Sequence, residues 1–127
     1  MESISLLLIE DNPADARWLQ SQMHLEPSSG EFYITWVNLL QTALQQLVAA
    51  PYAAVLLDLD LPDSHGLDTL AKIRSQYPAC PIVVMAGETG GEIGTQAINS
   101  GAQDYLIKGK IDGGAIIRAV RYAIERK

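Results

Sequence analysis

Residues 55–70 read VLLDLDLPDSHGLDTL, a run of aliphatic side chains that leads into acidic residues and then a turn. The aliphatic run has the length and composition of a buried strand, and Asp58 stands where it ends. Pro62 and Gly66 are typical turn residues, and Leu67 begins a stretch with apolar residues at helical spacing. The segment therefore predicts a strand, an acidic loop and a helix, in that order.

The same alternation recurs along the whole chain. Runs of strand length occur at Ile4 to Ile9, Phe32 to Val37, Ala53 to Leu57, Ile82 to Met85 and Gln103 to Ile107. A stretch with helical spacing follows each run, and the fourth, Glu92 to Ser100, is the weakest because it contains Gly94. Strands that are apolar throughout predict a parallel sheet with helices on both faces. The predicted class is α/β, a flavodoxin-like, doubly wound (βα)5 sandwich with strand order 2-1-3-4-5.

Length and composition predict one domain over residues 1–127. The chain is 48% hydrophobic, which is enough apolar material for a single core. Its net charge of −6 opposes binding to nucleic acid backbones and to anionic membrane surfaces. Cys80 has no second cysteine, and the apolar run near the N-terminus is too short to cross a bilayer and lacks the basic region of a signal peptide. We therefore expect a reducing, cytoplasmic environment.

Acidic residues and one lysine follow different strands of the predicted sheet. Glu10 and Asp11 follow the first strand, Asp58 follows the third with Asp60 two residues later, and Lys108 follows the fifth. Because all βα loops of such a sheet lie at its carboxyl edge, we expect these side chains to converge there. Clustered carboxylates repel each other, and a hard divalent cation such as Mg²⁺ would relieve the repulsion.

This arrangement suits phosphoryl transfer. A carboxylate such as Asp58 can act as the nucleophile that forms an aspartyl phosphate, while Mg²⁺ and Lys108 neutralise charge on the transferring group. Taken singly, the same residues have simpler interpretations: Asp11 or Asn12 as a helix cap, and Lys108 as a solvated loop charge. Their common position at one sheet edge favours the functional interpretation.

The chain resembles the response-regulator receiver domain over nearly its whole length. The matching segments are LLLIEDNPAD (6–15), VLLDLDLPDSHGLDTL (55–70), PIVVMAG (81–87) and GAQDYLIKGK (101–110). The resemblance implies that Asp58 is the phosphoacceptor and that Asp11 and Asp58 are side-chain Mg²⁺ ligands. It further implies that the Asp60 main-chain carbonyl is another ligand, that Glu10 acts partly through water, and that Lys108 binds phosphoryl oxygens.

Two positions depart from the family pattern. Ala86 stands where the family usually has Thr or Ser, so the hydroxyl that follows the phosphoryl group is missing. Tyr105 occupies the aromatic switch position, and Gly87 still offers a backbone N–H toward a phosphoryl oxygen. Gly109 replaces the proline that commonly follows the lysine. The resemblance therefore implies competent phosphorylation with an atypical switch.

The resemblance also implies partners. The expected phosphoryl donor is a phosphohistidine of a histidine kinase or a phosphotransfer protein, and the signal would pass on by protein contact. Residues 1–127 are expected to be either a stand-alone receiver or the N-terminal part of a longer signalling protein with an output domain. A homodimer through the fourth helix, fifth strand and fifth helix is a further family expectation.

Two other functions are left open. Ala86 motivates a receiver-like binding module that signals without regulated phosphorylation. The segment Asp58-Leu59-Asp60 also matches the DxD motif of haloacid dehalogenase-type phosphatases superficially, although Pro62 stands where that motif has Thr or Val. We expect a signalling domain rather than an enzyme, one that catalyses only its own phosphorylation and slow dephosphorylation.

Overall fold

A computed structural model describes residues 3–25, 32–87 and 91–126. In chain order the elements are β1 (Ile4–Ile9), α1 (Pro13–His24), β2 (Phe32–Val37), α2 (Leu40–Ala49), β3 (Ala54–Asp58), β4 (Asp60–Leu61), β5 (Ser64–His65), α3 (Leu67–Gln76), β6 (Ile82–Ala86), α4 (Gly91–Asn99), β7 (Asp104–Ile107) and α5 (Gly113–Glu125). The main sheet is parallel, with strand order β2-β1-β3-β6-β7. This order confirms the predicted doubly wound topology.

The sheet separates two apolar cores, and successive residues of its central strands face opposite sides. In β1, Leu6 and Leu8 pack in the core that includes α1 and α5, whereas Leu7 and Ile9 pack in the core that includes α2 and α3. All four side chains are fully buried. The two-residue period of a strand therefore explains why β1 is apolar throughout.

The prediction missed a short hairpin between β3 and α3. Strands β4 and β5 are antiparallel, with Asp60 opposite His65 and Leu61 opposite Ser64. We expected a plain turn here, because two-residue strands leave no apolar periodicity in a sequence. Strands β3 and β6 also end one residue later than predicted, at Asp58 and Ala86. None of the helices in the described part of the chain combines the length and apolar character that crossing a membrane requires.

The hairpin turn caps helix α2 from a distance. Leu39, at the N-cap position, has no side-chain hydrogen bond, and Asp63 supplies the acceptors instead. The Leu40 N–H donates to Asp63 Oδ1 at 2.8 Å and the Gln41 N–H donates to Oδ2 at 3.0 Å. Asp63 is exposed, and its slight desolvation raises its pKa, but the hydrogen bonds from Gln41 and Leu40 outweigh this and hold the pKa below its ordinary value. The loop after Asp58 is thereby tied to the start of α2.

Replacing Asp63 with alanine is expected to lower the free energy of unfolding by about 1 kcal/mol, because two N–H groups of α2 lose their acceptors. The loss should be full above the ordinary pKa of the carboxyl group and should shrink as the pH falls through the lower pKa of the folded state. Urea unfolding of the wild type and the variant at neutral and at acid pH measures this loss of stability. Asp68→Ala, an exposed acid in the first turn of α3, is the matched control; equal losses in both variants would contradict the capping role.

Candidate functional site

The carboxyl edge of the sheet brings together the residues that follow its strands. Glu10 follows β1 and is 1% exposed, and Asp58, the last residue of β3, is 8% exposed. Asp11 lies beside them and is exposed. Lys108 follows β7, where its N–H donates to the Ala86 carbonyl at 2.7 Å, so its backbone is held against the end of β6. These residues therefore lie together at the carboxyl edge of the sheet, as the order of the strands predicted.

The Lys108 ammonium lies at the centre of this edge and contacts three carboxylates. Its Nζ donates to Glu10 Oε1 and to Asp58 Oδ2, both at 2.9 Å, and to Asp15 Oδ2 at 3.2 Å. A lysine ammonium has three donors, so each has an acceptor here. Asp15 is absent from the sequence predictions. The signal that could have found it is its place in the first turn of α1, the helix that leaves this edge of the sheet.

Burial and neighbouring charges shift the pKa values of Glu10 and Lys108 at this edge. Burial raises the pKa of Glu10 from 4.5 to about 8, and the hydrogen bond and charge of Asp58 act in the same direction, while Lys108 opposes them. Burial also lowers the pKa of Lys108, but its hydrogen bonds to Glu10 and Asp58 outweigh this and raise the pKa above 10.5. Lys108 is therefore an ammonium at neutral pH. A single ammonium cannot neutralise all the carboxylates around it.

Three of these carboxylates form a group that fits a divalent cation. Glu10, Asp11 and Asp58 each offer an oxygen, and the three oxygens lie within 4.8 Å of one another. Glu10 Oε2 is buried and has no hydrogen-bond partner among the described residues. A buried acceptor without a donor is costly, and a cation nearby would compensate its charge. Carboxylate oxygens are the ligands that Mg²⁺ prefers.

Asp60 contributes its backbone rather than its side chain to Asp58. The Asp60 N–H donates to Asp58 Oδ1 at 3.0 Å. The Asp60 carboxylate is 87% exposed and lies 3.7 Å from His65 Nδ1, on the surface of the hairpin. With Lys108 on Oδ2, both oxygens of the Asp58 carboxylate are held, so its plane is fixed.

An open pocket gives access to Asp58 from the side of β6 and α4. It has a volume of about 390 Å³, and its lining includes Asp58, Ala86, Gly87 and Ile93. Gly87 is exposed at its rim, and the Ala86 methyl group leaves this wall without a hydroxyl. The carboxylate of Asp58 is therefore reachable by a small charged group, although the side chain is largely buried.

Comparison with known proteins identifies the family of this site. Residues 6–121 match the response regulator receiver domain. The chain belongs to this family. It is 33% identical over 103 residues to the transcriptional regulatory protein QseB of Haemophilus influenzae, an alignment that covers 81% of the chain and 45% of QseB. The chain spans less than half the length of the curated relatives it matches.

Solved structures agree with the receiver assignment. A sensor protein from Polaromonas sp. JS666 is 28% identical, with a TM-score of 0.79 and 97% of each chain covered. A two-component response regulator from Clostridium difficile is 26% identical, with a TM-score of 0.78 and 98% of each chain covered. The resemblance noted from the sequence motifs is confirmed, and the chain is a receiver domain and hence a signalling domain.

The two residues that the family resemblance implies as switch positions lie on neighbouring strands. Ala86 ends β6, and Tyr105 lies in β7 opposite Val84. The Tyr105 ring is half-buried and packs against the core shared with α4. A Cβ atom on Gly94 of α4 would collide with this ring. The glycine that weakens α4 in the sequence therefore makes room for the aromatic side chain.

The backbone conformation explains why a glycine, Gly109, follows Lys108. Gly109 has a φ of +81°, a conformation that favours glycine. A proline there is incompatible with this turn because its ring fixes φ near −65°. The glycine at this position is thus explained by the backbone conformation of the turn after Lys108.

Proposed function

We propose that this receiver accepts a phosphoryl group on Asp58 from the phosphohistidine of a histidine kinase or phosphotransfer protein, and relays the signal by protein contact. The observation that carries the proposal is the Asp58 carboxylate, held by the Lys108 ammonium and the Asp60 N–H at the wall of an open pocket. The ammonium offsets the charge of this carboxylate, the two hydrogen bonds fix its orientation, and the pocket makes it accessible. These are the conditions that a carboxylate nucleophile needs.

The transfer follows from these contacts. An Asp58 oxygen forms the new bond to phosphorus, the phosphorus–nitrogen bond of the phosphohistidine breaks, and the bonding electrons return to the imidazole nitrogen. Lys108 offsets the negative charge of the phosphoryl oxygens, and the exposed Gly87 offers its N–H to one of them.

A Mg²⁺ ion would be held by the side chains of Glu10, Asp11 and Asp58 together with the Asp60 carbonyl. When bound, it supplies further charge compensation for phosphoryl transfer. The support for this ligand set is the group of three carboxylate oxygens and the buried, unpartnered Glu10 Oε2.

Incubation with acetyl phosphate and MgCl2, followed by intact mass measurement, tests the proposal. The wild type is expected to gain one phosphoryl group, and Asp58→Asn is expected to gain none, because an amide is not a nucleophile of this kind. Asp68→Asn, which alters an exposed acid of α3, should behave as the wild type does. A wild type that stays unmodified would overturn the proposal.

A receiver-like binding module without regulated phosphorylation is the second candidate, and Ala86 favours it. Without a hydroxyl at this position the usual coupling between the phosphoryl group and Tyr105 is missing. Under the first proposal, phosphorylation of Asp58 would therefore act through an atypical switch. The mass experiment separates the two functions, since a pure binding module would take up no phosphate while remaining folded.

The output of the signal is expected to lie outside residues 1–127. The chain spans less than half of relatives such as QseB, which is named a transcriptional regulatory protein. We propose that a further domain or a separate protein supplies the output, with a homodimer through α4, β7 and α5 as one arrangement. The net charge of −6 supports a protein rather than a nucleic acid as the direct partner.

A further inference from the structure

Asp15 differs from the other two carboxylates that contact Lys108. Its side chain is 42% exposed, against 1% for Glu10 and 11% for Asp58. It lies in the first turn of α1, and it does not belong to the group of Glu10, Asp11 and Asp58 that could hold a cation. Asp15 therefore belongs to the partners of the ammonium but not to the candidate ligands of the metal.

Lys108 and a divalent cation would share two carboxylates. The ammonium binds Glu10 Oε1 and Asp58 Oδ2, and both residues are candidate metal ligands. Two cations close together also repel each other. A bound metal would therefore weaken the attraction of Lys108 to Glu10 and Asp58, because it shares their negative charge and repels the ammonium. Asp15 lies outside the group of candidate ligands, so its contact with Lys108 would be the least affected.

We propose that Asp15 is a positioning residue that holds the Lys108 ammonium beside the site while Glu10 and Asp58 bind a cation. The inference rests on the proposed function, since it concerns the same site. Asp15 draws the ammonium outward, lowers its competition for the buried carboxylates, and keeps it within reach of the phosphoryl group on Asp58. The distance of 3.2 Å and the partial exposure of Asp15 suit a contact of moderate strength.

Asp15→Asn is expected to weaken Mg²⁺ binding about threefold to fivefold, because the ammonium then remains on Glu10 and Asp58. Isothermal titration calorimetry with MgCl2 alone measures the affinity without any phosphoryl donor. Asp68→Asn is the matched control, because it removes the same charge from the first turn of α3. It should leave the affinity unchanged.

A double-mutant cycle distinguishes positioning from a general loss of negative charge. In a Lys108→Met background the competing ammonium is gone, so the further change Asp15→Asn should leave Mg²⁺ affinity unchanged. An equal loss of affinity in both backgrounds would show that Asp15 acts only through its field, and would overturn the inference. A wild type that binds no Mg²⁺ would overturn it too.

Different experimental results would refute the proposed function and this inference. A wild type that binds Mg²⁺ with the expected coupling of Asp15 and Lys108, yet gains no mass from acetyl phosphate, would refute phosphorylation and leave the positioning role standing. A wild type that gains mass while the cycle shows no coupling would refute the positioning role alone.

Discussion

Replacing Lys108 with methionine is expected to slow phosphate uptake from acetyl phosphate about 10²- to 10³-fold, the usual effect of removing one charged group that stabilises a transition state. The same change should tighten Mg²⁺ binding, because the ammonium that contacts Glu10 and Asp58 would no longer repel the ion or share the charge of these carboxylates. Intact mass at timed intervals gives the rate, and calorimetry gives the affinity. The slower phosphate uptake and the tighter Mg²⁺ binding would both result from removing the ammonium from its place beside Asp58 and Glu10.

Lys110→Met is the control for loss of one positive charge near the site, since Lys110 is exposed in the same loop. It should change neither quantity appreciably. Weaker Mg²⁺ binding in Lys108→Met would contradict the competition between ammonium and metal, and an unchanged rate would remove Lys108 from the transfer step.

The sequence predicts the sheet and its acidic edge because both follow from local patterns. A strand buried on both faces must be apolar throughout, as β1 and β3 are, and a parallel sheet places every βα loop at one edge. The order of strands and loops along the chain is therefore enough to bring Glu10, Asp58 and Lys108 together.

Two contacts made by residues away from the strand ends could not be predicted in this way. Asp15 and Lys108 are 93 residues apart in the chain, and Asp63 and the Leu40 N–H that it accepts from are 23 apart. Whether such groups meet depends on helix rotation and loop geometry, which leave no periodic signal. The ammonium partner and the cap of α2 thus appear only in three dimensions.

The fourth helix shows how a weak local preference can have a tertiary cause. Gly94 lowers the helix preference of α4, and the sequence alone indicates only that this helix is poorly supported. In the structure Tyr105 fills the space that a Cβ atom on Gly94 would occupy. Gly94 therefore allows a close contact between the Tyr105 side chain of β7 and helix α4.

Glu10→Gln is expected to raise the free energy of unfolding of the metal-free protein by about 1 to 3 kcal/mol at neutral pH, the usual cost of a buried polar group without its partner. Burial raises the pKa of Glu10 from 4.5 to about 8, so the folded state binds more protons than the unfolded state between these values. The stability of the wild type must then fall as the pH rises through this window. Glutamine has no charge to desolvate, and its amide can donate to Asp58 where a carboxylate repels it.

The advantage of Glu10→Gln should therefore be small near pH 5 and largest at about pH 8 when urea unfolding is followed in EDTA. Added Mg²⁺ should reverse the order, because the wild type gains binding energy that the amide variant largely loses. Glu92→Gln, an exposed acid of α4, controls for loss of net charge. If Glu10→Gln were the less stable protein at about pH 8 in EDTA, the ionised carboxylate would be stabilising the fold, and the electrostatic conflict that makes this edge receptive to a cation would not exist.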